Sequence, residues 1–95
     1  MDTSVILSLV KANLNIFQDV RDDYLSAIIE GVIAQLQDEQ GLELDGSNPY
    51  HMQFVVDLAA WRYRSRGEDG AMPLHLQSRM RNMMLHNPRG KTDVQ

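Results

Sequence analysis

Residues 19–40 read DVRDDYLSAIIEGVIAQLQDEQ, a run without proline long enough for roughly six helical turns. Tyr24, Leu25, Ile28, Ile29, Val32, Ile33 and Leu36 recur at steps of one, three and four, the spacing of an α-helix. Asp19, Asp22 and Asp23 sit at its start, where negative charge suits the positive end of the helix dipole. The apolar arc is wider than one buried face requires. It predicts contact with two neighbouring helices at once, or with a second copy of the chain. Gly31 weakens the helix interior by about 1 kcal/mol relative to alanine. Close approach of another helix would explain it, as would a tolerated defect.

Working outward, the chain resolves into three further helices. Helix one is predicted over about 3–13, with Asp2, Thr3 and Ser4 offering capping oxygens and Val5, Ile6, Leu9 and Val10 forming a stripe. Asn13 and Asn15 suit its end, since asparagine tolerates left-handed backbone. Helix two is predicted over 19–40. Gly41 then caps it, and residues 41–48 form a loop with an Asp45-Gly46 turn. A short strand at 42–44 is conceivable, without an evident partner. Helix three is predicted over 49–66, opened by Asn48 as cap and Pro49 at the first position. Met52, Val55, Val56, Ala59 and Tyr63 make its stripe, widened by Phe54, Leu58 and Trp61. After a polar turn at 67–71, Pro73 starts helix four over 73–86, with Leu76, Met80, Met83 and Met84 inward. Pro88 ends it, leaving 89–95 as a polar, flexible tail. The expectation is an all-α bundle of four helices in one domain, residues 1–88, with helix two long and central.

A chain of 95 residues supports one modest core and no second domain. Its apolar runs are far shorter than a membrane span. The absence of cysteine excludes disulfides and thiolate metal sites. The start, MDTSVILSLVKAN, lacks the basic lead of a signal peptide, which predicts an intracellular site of synthesis.

Charge is divided along the chain. Residues 1–50 hold two bases, Lys11 and Arg21, against nine acids. Residues 51–95 hold seven bases against four acids. Opposed halves suit head-to-tail association of copies, and equally suit attraction inside one domain. The candidate contact residues are Asp22, Asp23, Glu30, Asp38 and Glu39 on the acidic side. On the basic side they are Arg62, Arg64, Arg66, Arg79 and Arg81.

Catalytic and cofactor chemistry finds no footing. Gly90-Lys91-Thr92 resembles the end of a phosphate loop, but Leu85 stands where its first glycine belongs. His51, His75 and His86 fall on different elements, which predicts surface or helix-end roles and no metal site. Asp22 and Asp23 are better read as dipole partners than as a catalytic pair. The arginines could form a DNA-binding patch, but the chain is acidic overall, with pI ≈ 5.1, and no helix-turn-helix spacing is present. The methionines of the last helix could fill core or offer an adaptable contact surface.

Three segments together resemble the small gp6-like head–tail connector, or head-completion adaptor, proteins of tailed phages and prophages. The first runs from Val10-Lys11-Ala12-Asn13-Leu14-Asn15-Ile16 through Asp22-Asp23 to Tyr24-Leu25 and Ile28-Ile29. The second is Ala59-Ala60-Trp61-Arg62-Tyr63-Arg64. The third is Met72-Pro73-Leu74, Leu76-Gln77 and Arg79, closing in His86-Asn87-Pro88-Arg89. The resemblance covers about residues 5–89. It implies a non-enzymatic virion protein at the head–tail junction, made in the host cytoplasm. Such proteins form a homo-oligomeric ring under the portal protein, extend the DNA channel without reading sequence, and dock tail-completion proteins. The competing reading is a small helical regulator or partner-binding protein, or less favourably a DNA-binding regulator.

Overall fold

The computed structural model describes residues 1–66 and 71–86. It contains α1 (Thr3–Leu14), α2 (Asp22–Ala34), α3 (Pro49–Arg64) and α4 (Leu74–His86), and a π-helical turn, Gln35–Glu39, continues α2. The fold is the expected all-α bundle of four helices. The flexible tail expected at 89–95 and most of the expected turn at 67–71 lie outside the described residues.

The helix ends follow local chemistry. Asp2 caps α1 by accepting from the Ser4 N–H at 3.0 Å. Asn15 closes it in left-handed backbone, φ 59°. Asn48 caps α3 by accepting from the Tyr50 N–H at 2.9 Å, and Pro49 takes the first position. The helix ends at Arg64 rather than Arg66, because Ser65 and Arg66 turn back onto Trp61 and Tyr63 carbonyls. Pro73 stands one place before α4, its carbonyl accepting from Leu76 and Gln77 N–H groups at 3.0 Å each.

Helix two differs from the expected 19–40 at both ends. It begins at Asp22, since Asp19 lies in a tight turn whose carbonyl accepts from the Asp22 N–H at 3.1 Å. That turn reverses the chain after α1. At the far end no apolar residue falls between Leu36 and Leu42, so an α-helical continuation would bury nothing. The backbone instead widens into the π turn, with Gln40 N–H bonded to the Gln35 carbonyl at 3.1 Å. Gly41 then adopts φ +70° and Leu42 N–H reaches the Leu36 carbonyl at 2.9 Å. This closure drops Leu42 into the core, fully buried. Among the described residues no strand runs through 42–44.

The hub of the packing is α3. It buries His51, Phe54, Val55, Val56, Leu58, Ala59, Ala60 and Tyr63. Ile6 and Val10 of α1 join that core, with Leu25, Ile29 and Val32 of α2, Leu36 of its π turn and Leu76 of α4. α1, α2 and α3 pack against one another, whereas α4 packs on α3. α2 with its π turn is the longest helical run, as expected.

His51 is buried rather than at the surface. Its Nδ1 accepts from the Asp45 N–H at 2.9 Å and so pins the 41–48 loop to the start of α3. Asp45 also accepts from the Ser47 N–H and hydroxyl, at 2.9 and 2.7 Å, setting the turn.

Gly31 lies on the exposed side of α2, and a Cβ there would meet nothing within 4 Å. Among the described residues no other helix makes close approach there. Gly31→Ala is therefore expected to stabilise the monomer by about 1 kcal/mol, read as a higher thermal midpoint. An unchanged or lower midpoint would show that the site is not open. Leu42→Ala should cost roughly 2–5 kcal/mol in urea unfolding, a core-sized loss from a loop residue.

Candidate interface surfaces

The turn between α1 and α2 is held by one lysine. Lys11 Nζ lies 2.9 Å from Asp19 Oδ1 and 2.8 Å from Asp22 Oδ1. The hydrogen bonds to Asp22 and then Asp19 hold the Lys11 ammonium above its ordinary range. The hydrogen bond from Lys11 holds Asp19 below the ordinary 3.8. Asp22, one of the candidate contact residues, is thus used inside the chain. Asp23 is exposed beside it.

The other acids follow the outer side of α2. Asp23, Ala27, Glu30, Gly31, Ala34 and Asp38 are all exposed, at helical steps, and Glu39 is exposed next to Asp38. Small side chains separate these carboxylates, so they stand clear of the helix surface.

Of the five candidate arginines two are half-buried and three are exposed. Arg62 is half-buried and donates to Gln35 Oε1 in the π turn. Burial pulls its proton affinity below the usual arginine value, opposed by nearby Glu39. Arg79 is half-buried too, 2.8 Å from Asp57 Oδ2 and with its guanidinium 5.4 Å from the Phe54 ring centre. These two fasten α3 to α2 and α4 to α3. Arg64 is exposed and caps the end of α1, donating to Asn13 Oδ1 at 2.8 Å. Arg66 is exposed and lies 4.0 Å over the Tyr63 ring, donating to the Tyr63 carbonyl at 2.6 Å. Arg81 is exposed on α4.

Tyr63 gathers a cluster that the sequence did not announce. Arg21 donates to its hydroxyl and lies 5.9 Å from its ring centre. Tyr24 meets it edge-on at 6.1 Å and 61°. The i, i+3 spacing of Tyr63 and Arg66 was a usable signal for half of this. Arg21 and Tyr24 arrive from another helix, and nothing local foretells them.

Two hollows remain on the α4 side. One, about 390 Å³ and open, is lined by Met72, Gln77, Met80, Arg81 and Met84 and is chiefly apolar. The other, about 330 Å³, lies among Asn13, Asp57, Trp61, Arg64, His75 and Leu76 and is mixed in character. Among the described residues no group of three His, Cys, Asp or Glu side chains could hold a metal ion, and no helix is long and apolar enough to cross a membrane. Lys11, Arg62 and Arg79 join elements of the chain, while Asp23, Glu30, Glu39 and Arg81 stand exposed.

A family model described as phage gp6-like head-tail connector protein matches residues 5–86. The chain belongs to that family. No curated protein and no solved structure matches it. The matched span takes in all of α2, α3 and α4 and most of α1, so the connector resemblance rests on the whole bundle. Head–tail connectors are structural components of the virion rather than enzymes.

Three depressed carboxyls bear on the response of this connector to acid. Asp19 is depressed by Lys11, and Asp2 and Asp45 are depressed by hydrogen bonds from Ser4 and Ser47. A depressed carboxyl stabilises the fold above its unfolded value and loses that contribution as pH falls through the lower folded value. The urea midpoint should therefore fall below about pH 4. Lys11→Met should start lower and fall less steeply, and an identical slope would show that Lys11 does not set the Asp19 titration. Arg79→Gln should cost on the order of 1 kcal/mol by loss of the Asp57 pair and the Phe54 contact.

Proposed function

We propose that this connector assembles as a ring beneath the portal, lengthens the DNA channel, and presents a docking surface to a tail-completion protein. The observation that carries the reading is the family match over residues 5–86. The surfaces support it. An acidic strip on α2 and exposed arginines on α3 and α4 belong to different helices, so a contact between them joins unlike patches of two copies. Unlike patches repeat from copy to copy and close into a ring when the rotation permits.

The internal pairing narrows the proposed contacts. Asp22, Arg62 and Arg79 serve the fold of the single chain first. Asp23, Glu30 and Glu39 on one copy facing Arg64, Arg66 and Arg81 on the next are the better contact set. Their exposure makes each pair modest, but several arranged around a ring add steering and register. Acidic groups turned toward the channel would also let DNA pass without adhering.

Electron microscopy and mass measurement of the purified protein, with and without purified portal, test this. Rings, or recruitment that depends on portal, are the expected result. A monomer indifferent to portal, or a DNA binder with a steep salt dependence, would overturn it. Arg64→Glu with Arg66→Glu should weaken assembly while leaving helical circular dichroism intact. Arg62→Glu should instead lower stability, because its half-buried guanidinium is part of the fold.

A further inference from the structure

Two apolar features among the described residues stand partly open to water in the single chain. The first is the open groove beside α4, lined by Met72, Met80 and Met84, which pack against the core but are only partly buried, with Arg81 on its edge. The second is the turn between α1 and α2. Phe17 is 84% exposed and Val20 85%, and Tyr24 follows at 47% in the first turns of α2. Large apolar side chains grouped at the surface mark a candidate contact site.

We infer that Phe17, Val20 and Tyr24 of one copy seat in the Met72–Met80–Met84 groove of the next copy, forming the repeating joint of the ring. This rests on the ring assembly proposed above and names its contact. Methionine thioethers are adaptable and favour aromatic partners, so the groove suits Phe17 and Tyr24. Charge agrees at the margin. Asp23 beside the apolar turn is exposed, as is Arg81 on the rim of the groove, whereas Asp19 within the turn is paired with Lys11. Arg21, the one base within that turn, is drawn away to Tyr63. Residues 87–95 of the same chain are a poor occupant: Arg89 and Lys91 repeat the sign of Arg81, and Val94 is the sole large aliphatic side chain there. The turn and the groove are different patches, so the joint is heterologous, as a ring requires.

Complementation of the full-length protein tests the joint. Val20→Asp changes a side chain already in water, and Met84→Glu places charge in the groove; Arg81→Glu, fully at the surface, stands in if Met84→Glu fails to fold by circular dichroism. Each variant alone should associate at least tenfold more weakly than the unaltered protein under conditions that give rings. Mixed together, Val20→Asp and Met84→Glu retain one intact turn and one intact groove, and should stop at dimers by mass measurement. Asp23→Arg combined with Arg81→Glu in one chain should recover association that either loses alone. If the unaltered protein forms rings and these variants form them equally well, the joint lies elsewhere and ring assembly stands. If the groove variants keep rings but lose a tail-completion protein, the groove belongs to that partner and the joint is overturned. If the unaltered protein forms no assembly with or without portal, the ring reading falls and the joint with it.

Discussion

The structure depends on the burial of α3. Phe54, Val55, Val56, Leu58, Ala59 and Tyr63 point in several directions around that helix, and water must be kept from all of them. One neighbouring helix covers one side only. α1, α2 and α4 are therefore all needed, and each contributes the few residues that complete the shell: Ile6 and Val10, Leu25 through Leu36, and Leu76. The loop contributes Leu42 and the His51 hydrogen bond in the same service. Among its described side chains α4 supplies one that is fully buried, Leu76, and its methionines are partly covered.

Electrostatics divides into two tasks. Lys11, Arg62 and Arg79 are partly withdrawn from water and join elements of one chain. Their value is positional: Lys11 sets where α2 begins, Arg62 binds α3 to the π turn, and Arg79 fixes α4. The charges that remain outside are Asp23, Glu30 and Glu39 against Arg64, Arg66 and Arg81. The inner members of the charge division thus hold the fold, and even the exposed Arg64 and Arg66 bond to Asn13 and Tyr63 within the chain.

A virion connector has reason to be built this way. A core of one hub helix gives a small protein enough buried surface to fold. Its outer helices carry exposed apolar and charged side chains at separate places.

Much of this was legible in the residues. The three-and-four steps of apolar side chains located all four helices. Asp2, Asn15, Asn48 and Gly41 marked ends correctly, because capping is a short-range matter of hydrogen bonds and backbone angle. The ordered string of motifs led to the connector family. The rest depended on contacts between distant positions. That α2 starts at Asp22 follows from Lys11 and the reversal after α1. That it widens at Gln35 follows from the need to bring Leu42 inward and from Arg62 at the turn. His51 looked like a helix-end residue and is also a core one, since only the folded loop brings Asp45 to it. The candidate arginines were indistinguishable as letters, and burial alone separates Arg62 and Arg79 from Arg64, Arg66 and Arg81. Residues 19–40 by themselves determined a long helix with an acidic start and too much apolar surface for one neighbour. Only the tertiary structure decided where that helix opens and closes and that α3 is its principal partner, because those outcomes are set by which side chains meet across the bundle.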